Sequence, residues 1–169
     1  MNVKEESGVT VSRTDFRQAM SQLAASVNVV TTDGAAGRWG MTASAVCSVS
    51  DTPASLLVCI NRSTRLHQLA QENRVLAINV LTSGQEAISG LFAGGDPEAR
   101  FASGRWSTLT TGAPVLLDAL VGFDCRVQEI VDGGSHGIFI AEVVALHQGS
   151  AEGGLVYFNR SYRQLGQAA

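Results

Sequence analysis

The segment from Gly40 to Ser63 holds the densest run of groups in this chain able to meet a ligand. It reads Gly-Met-Thr-Ala-Ser-Ala-Val-Cys-Ser-Val-Ser from Gly40 to Ser50 and Cys-Ile-Asn-Arg-Ser from Cys59 to Ser63, with an apolar stretch over 55–60 leading into the second run. Thr42, Ser44, Ser48 and Ser50 alternate with Ala43, Ala45, Cys47 and Val49. At the two-residue period of a strand, one face is then small and hydroxylated. Such a face packs a core poorly, but it lets hydroxyls and main-chain N–H groups close on a bulky planar, phosphorylated ligand. Asn61 and Ser63 precede a helical pattern, where N–H donors at a helix start favour an anion. Two plainer readings stand beside these: a barrel strand whose hydroxyls face water, and a Ser63 that only caps its helix.

His136 opens a strand directly after Gly133-Gly134-Ser135, a place where an imidazole can reach a ligand or simply sit in solvent. His67, in a helical pattern, and His147, late in a strand, read as bystanders. No paired carboxylates or Ser–His–Asp set can be picked out. The chain has no GxGxxG, Walker loop, HExxH or GxSxG pattern, which argues against a Rossmann domain, a phosphate-loop NTPase, a zincin and an α/β-hydrolase. Cys47, Cys59 and Cys125 are odd in number, lack CxxC spacing and lie in apolar segments, so they read as reduced core thiols of a cytoplasmic protein.

These groups need a scaffold. The 169 residues suit one domain, with 45% hydrophobic residues to build its core. A net charge of −3 argues against nucleic acid as the main partner. No leader pattern and no membrane-length apolar run is evident. Residues 1–11 are polar and read as a flexible N-terminal segment, with the domain proper over 12–165.

Ser12 and Asp15 resemble a capping box for a helix carrying Phe16, Met20, Leu23 and Ala24 to about Ser26. A β-branched run over 27–32 ends at Asp33-Gly34, a turn signal before a strand over 38–49. A short strand over 55–60 precedes a helix from Ser63 to Asn73 and another strand over 75–81. Ser83 and Glu86 form a second capping box. Residues 94–106 read as a polar, mobile loop in which Pro97 breaks any helix. A period-two strand over 120–131 turns at Asp132-Gly-Gly-Ser into one over 137–147, and residues 154–158 supply the last. Some seven strands in hairpin order with three helices predict an α+β fold, a β-barrel with helices outside.

An ordered set of segments then carries a resemblance over about Phe16 to Tyr162: Gly40–Pro53, Leu57–Asn61, Ile78–Leu81, Phe92–Gly94, Arg100-Phe101, Gly134–His136 and Val156–Phe158. Together they resemble the short-chain flavin reductases, the reductase components of two-component flavin-dependent monooxygenases of the 4-hydroxyphenylacetate and chlorophenol types. The resemblance implies a split β-barrel of the FMN-binding, flavin reductase-like type with flanking helices, usually a homodimer. It implies FAD or FMN as an exchangeable substrate, NADH as hydride donor, and a monooxygenase large component reached by diffusing reduced flavin.

By the same resemblance, the strand over Thr42, Ala43, Ser44, Cys47 and Val49 lies along the isoalloxazine. Ser48, Ser50, Asn61 and Ser63 fall near the ribityl and phosphate groups. Met41, Arg62, Thr64 and Phe101 complete the flavin-binding positions. His136 matches a histidine beside flavin and nicotinamide, and Arg160 and Tyr162 match a C-terminal arm that closes the site, with 94–106 as the other part of a lid. The chain departs from the family at Ala99, Asn159 and Arg163. Two rivals remain open: a split-barrel electron carrier with tightly held FMN, and a pyridoxamine-phosphate-oxidase-like enzyme, which would need a second basic phosphate pocket.

Overall fold

The computed structural model describes residues 10–150 and 153–166. Its elements run α1 (Arg13–Met20), β1 (Ala25–Ser26), β2 (Asn28–Thr32), β3 (Trp39–Ala43), β4 (Val46–Asp51), β5 (Ala54–Asn61), α2 (Arg65–Asn73) and β6 (Val75–Val80). They continue α3 (Glu86–Gly94), α4 (Pro97–Arg100), β7 (Trp106–Thr108), β8 (Pro114–Leu116), β9 (Val121–Gly133), β10 (His136–Gln148), β11 (Gly154–Phe158) and β12 (Ser161–Leu165). Most of the expected N-terminal segment, residues 1–9, lies outside the described residues.

Seven strands join in the order β3-β2-β6-β9-β10-β5-β4, each neighbouring pair antiparallel. Hairpin connections make this order natural: Asp33-Gly34 lies in the turn between β2 and β3, and Gly134-Ser135 joins β9 to β10, with Gly134 at a positive φ of 72°. The single strand expected over 38–49 is broken at Ser44-Ala45. Its halves form opposite edges of the sheet, because β3 pairs with β2 and β4 pairs with β5. Two residues cover about 10 Å at most. The link therefore holds the ends of the two edge strands close together, and Cys59 N of β5 donates to Ala45 O at 3.0 Å beside it. The break, with a second irregularity between Ser48 and Ser50, interrupts the hydroxylated face that strict alternation predicted.

The concave side of the curl holds the main core. Val30, Leu56, Val58, Ile60, Leu76, Ile78, Cys125, Val127, Phe139 and Ala141 come from five strands, and Leu66 and Ala70 of α2 pack against them. A second core of Val27, Val29, Leu81, Phe92, Leu116, Ala119 and Leu155 lies under α3 and the C-terminal hairpin β11–β12. Successive residues Val29 and Val30 enter different cores, as a strand's alternation requires.

The first capping box forms as expected: Ser12 Oγ accepts from Asp15 N at 3.0 Å and donates to Asp15 Oδ2 at 2.7 Å. The helix stops at Met20 rather than near Ser26, because Ala25 and Ser26 pair with Tyr157 and Val156 of β11. The second expected box does not form. Gln85 holds the N-cap position without a side-chain cap; its amide instead accepts from Thr82 N at 2.9 Å and donates to Asp118 O at 2.8 Å. Thr64, not Ser63, caps α2, its Oγ1 accepting from His67 N. Pro97 opens α4 instead of breaking a helix, since its missing N–H costs nothing at a first-turn position.

Residues 94–106, expected as a mobile lid, are pinned. Buried Arg100 donates to Gly40 O, Leu91 O and Gly95 O and stacks 4.5 Å from the Trp39 ring. Phe101 and Trp106 close on Phe92. Burial lowers the Arg100 pKa while Asp96 raises it.

Candidate functional site

The site grows from the alternation of β5. Leu56, Val58 and Ile60 enter the core, which leaves Leu57, Cys59 and Asn61 on the convex face. Residues opposite one another in antiparallel strands share a face. The register of β10 therefore sets His136 beside Asn61, and that of β4 sets Cys47 beside Leu57. A trough of about 730 Å³ lies over this face. Its floor is Ser44 to Cys47 with Leu57 and Cys59; α1 walls it with Arg17, Met20 and Ser21; Tyr157 and Arg160 of the C-terminal hairpin close it.

A smaller cavity of about 300 Å³ shares Ser44 and Tyr157 with the trough and is lined by Met41, Thr42, Ala43, Ala93 and Tyr162. A third, of about 400 Å³, shares Val46 and Cys47 with it and takes in Ser48 and Ser50. The structure thus gathers most of the residues singled out in the sequence along one surface. Val49 is exposed and lines none of the three, nor do Asn61, Arg62, Ser63, Thr64 and His136; Phe101 lies apart, its ring in the aromatic cluster under Arg38. Cys47 is exposed and Cys59 half-buried, so neither is the fully buried core thiol expected; Cys125 is.

The hydroxyls are not all free. Thr42 Oγ1 donates to Ser89 O at 2.7 Å, and the Tyr162 hydroxyl meets Ser89 Oγ at 2.8 Å. At the far end of the surface, Asn61 Oδ1 accepts from both Ser63 N and Ser63 Oγ, at 2.9 and 2.8 Å. Arg62 pairs with Asp132 at 2.8 Å. The Gly134 amide and then Arg62 hold the Asp132 carboxyl below its usual range. This loop leads into α2, whose first-turn amides lack intrahelical partners. His136 Nδ1 lies 2.9 Å from Ser135 Oγ, which fixes the ring at the mouth of the hairpin.

His67 lies in the interior rather than at the surface. It is buried, its Nε2 has no hydrogen-bond partner, and its ring meets Phe139 edge-on at 5.2 Å. A Cβ on Gly137 would lie 2.6 Å from that Nε2, so only glycine fits beside His136. Burial first, and then the Arg62 charge, depress the His67 pKa. Burial raises the Cys59 thiol.

Sequence reasoning missed Ser89, Arg17, Tyr157 and His67. Arg17 and Met20 are three apart on one helix, a signal that α1 presents one stripe to the site. Ser89 and Tyr157 carried no local signal, because their partners are distant in sequence.

The trough lining combines an apolar floor with hydroxyls and two guanidiniums, and no carboxylate is among it. A flat aromatic ring carrying phosphate fits that donor set. Among the described residues no three His, Cys, Asp or Glu side chains converge as a metal site, and no helix is long and apolar enough to cross a membrane.

The flavin reductase like domain matches residues 20–166. The chain is 54% identical over 152 residues to the FMN reductase (NADH) RutF of Agrobacterium fabrum, covering 89% of this chain and 87% of that one. Among solved structures, the NADH:FAD oxidoreductase SgcE6 of Streptomyces globisporus, in complex with NAD and FAD fragments, superposes with a TM-score of 0.86 at 28% identity, covering 94% of this chain and 95% of that one. The styrene monooxygenase flavin reductase of Pseudomonas putida superposes with a TM-score of 0.79 at 25% identity, covering 92% and 99%.

Proposed function

Because the chain belongs to the flavin reductase-like family, we propose that it is an NADH-dependent flavin reductase that passes diffusible reduced flavin to a partner monooxygenase. FMN is the favoured flavin, on the strength of the relative 54% identical to it. The observation that carries this reading is the trough: an apolar floor edged by hydroxyls and two guanidiniums, with no carboxylate in its lining. The curled antiparallel sheet with its few helices is consistent with the split barrel that this reading requires.

NADH supplies a hydride from nicotinamide C4 to flavin N5, and a solvent proton completes the reduced flavin. The protein's part is to hold the two rings face to face, which lowers the barrier through orientation. β3 and β4 are edge strands, so each keeps a row of main-chain groups outside the ladder. Donors from this row over 42–47 face the pyrimidine end, where negative charge develops on reduction, as in an oxyanion hole. The side-chain N–H of Asn61 and the first-turn amides of α2 receive the flavin phosphate, with Ser63 holding Asn61 in place, and His136, held by Ser135, orients the nicotinamide. No side chain has to act as nucleophile.

Helix α1 buries none of its residues; Phe16 is 57% exposed and Met20 45%, and Leu23 just beyond its end is 61%. This apolar stripe, beside the trough, is where a second copy of the chain packs in the proposed homodimer. The place of action is the cytoplasm, where NADH is available.

The test is oxidation of NADH and NADPH by the purified protein with free FMN and with free FAD, followed by nicotinamide absorbance. The expected result is fastest turnover with NADH and FMN, from a protein that sediments as a dimer. A yellow protein that retains FMN and oxidises neither nucleotide would establish the electron-carrier alternative.

A further inference from the structure

Two cations line the trough, and they come from opposite ends of the chain. Arg17 projects from α1, and Arg160 from the β11–β12 turn. Arg160 is tied to α1 directly: its guanidinium donates to Oε1 of Gln18, the neighbour of Arg17, at 3.1 Å. Among the described residues neither arginine has a carboxylate partner, whereas Arg38, Arg62 and Arg105 are each matched to an aspartate. The trough lining supplies no acid either.

The placement of Arg160 is enforced. Asn159 and Arg160 have φ of 47° and 60°, a two-residue turn with both central residues left-handed. Glycine is the usual second residue of such a turn, and a bulky side chain there is strained. Asn159 locks the turn onto α1, its N donating to Ser21 O at 2.7 Å and its Oδ1 accepting from Gln22 at 3.1 Å.

We infer that Arg17 and Arg160 form a two-guanidinium clamp for the diphosphate of a dinucleotide, the class to which NADH belongs. The inference rests on the reductase reading and extends it to the second ligand. A flavin mononucleotide has one phosphate, which the proposed function assigns to the loop from Asn61 to Thr64, outside the trough lining. The two trough guanidiniums are then surplus to that ligand, and they match the two charges of a diphosphate. Guanidiniums suit such groups because their planar forks bond phosphate oxygens in pairs. Tyr157, 39% exposed and lining the same trough, gives the adjoining base a face to stack on.

Calorimetric titration of the full chain with ADP-ribose, FMN and FAD tests this without any turnover. In Arg17→Gln and Arg160→Gln the Kd for ADP-ribose should rise about tenfold or more, the loss expected of one charged hydrogen-bonding partner. Arg17→Lys, which keeps charge but not the fork, should fall between. FMN affinity should move less than twofold in all three. FAD weakening in step with ADP-ribose puts the flavin dinucleotide in the same clamp, and FAD unaffected reserves the clamp for the pyridine dinucleotide; both outcomes support it. Unchanged ADP-ribose affinity in both glutamine variants, or an equal loss for FMN, overturns it. Failure of the wild-type protein to oxidise NADH would instead count against the reductase reading.

Discussion

Ser89 Oγ and the Tyr162 hydroxyl lie 2.8 Å apart, and the carbonyl of that serine accepts from Thr42 Oγ1 at 2.7 Å. One buried residue of α3 thus fastens the last strand to the strand that floors the smaller cavity, and so sets the spacing of its two walls. Ser89→Ala and Tyr162→Phe should each cost about 1 kcal/mol of stability, the usual worth of such a bond. Each should also raise the KM for flavin several-fold. Because the two changes break one contact, the double variant should lose little more than either single one. Thermal unfolding and steady-state kinetics of the three proteins check this; fully additive losses would separate the two residues.

His136 opens β10 beside Asn61 and is partly exposed. His136→Ala should slow turnover about tenfold or more, within the range for a positioned polar group, and leave FMN binding intact. The measurements are kcat and the quenching of flavin fluorescence. An unchanged kcat would remove His136 from the mechanism.

The three thiols should react in a fixed order. Cys47 is exposed on the trough floor, Cys59 is half-buried with its pKa raised, and the buried Cys125 is pushed up to about 12. A maleimide should label Cys47 first, Cys59 slowly, and Cys125 only on unfolding, since the thiolate is the reactive form. FMN should protect Cys47. Mass spectrometry of timed samples reads the order, and labelling of Cys47 indifferent to FMN would place the ring elsewhere.

His67 makes stability depend on acid. Its pKa in the folded chain is depressed, while unfolding restores the ordinary value of about 6.5. The unfolded chain therefore takes up this proton first as pH falls. Stability is complete above about pH 6.5 and is lost as pH drops from there through the folded value. Urea midpoints measured from pH 7.5 downward should fall less steeply in His67→Gln than in the parent. Parallel slopes would mean that other groups carry the acid sensitivity.

Arg160 pays for its position in backbone strain. Arg160→Gly should raise stability by about 1 kcal/mol, the scale of a left-handed penalty, while weakening dinucleotide binding. A melting temperature that does not rise would show that the turn is unstrained.

The hairpins, both long strands and helix α2 were legible because each is written locally, in alternation, turn residues and helical spacing. So was the position of His136, fixed by Gly133-Gly134-Ser135. The resemblance named the surface around Thr42, Ser44 and Asn61, but local pattern could not show how its parts meet. The break at Ser44-Ala45 depends on pairing with β2 and β5, the shortening of α1 on pairing with β11, and the anchoring of Phe101 on an aromatic cluster gathered from three segments. Pro97 misled because proline breaks a helix only away from its first turn. Ser63 misled because Asn61, two residues earlier, captured its hydroxyl.

The link between β3 and β4 makes the ligand's resting place also the seam of the cylinder. A guest pressed against Ser44 and Ala45 bears on the stitch that keeps the rolled sheet from springing apart, so filling the trough and tightening the scaffold become one event. Lengthening that stitch would slacken it, and the fit of the guest and the firmness of the scaffold would decline together.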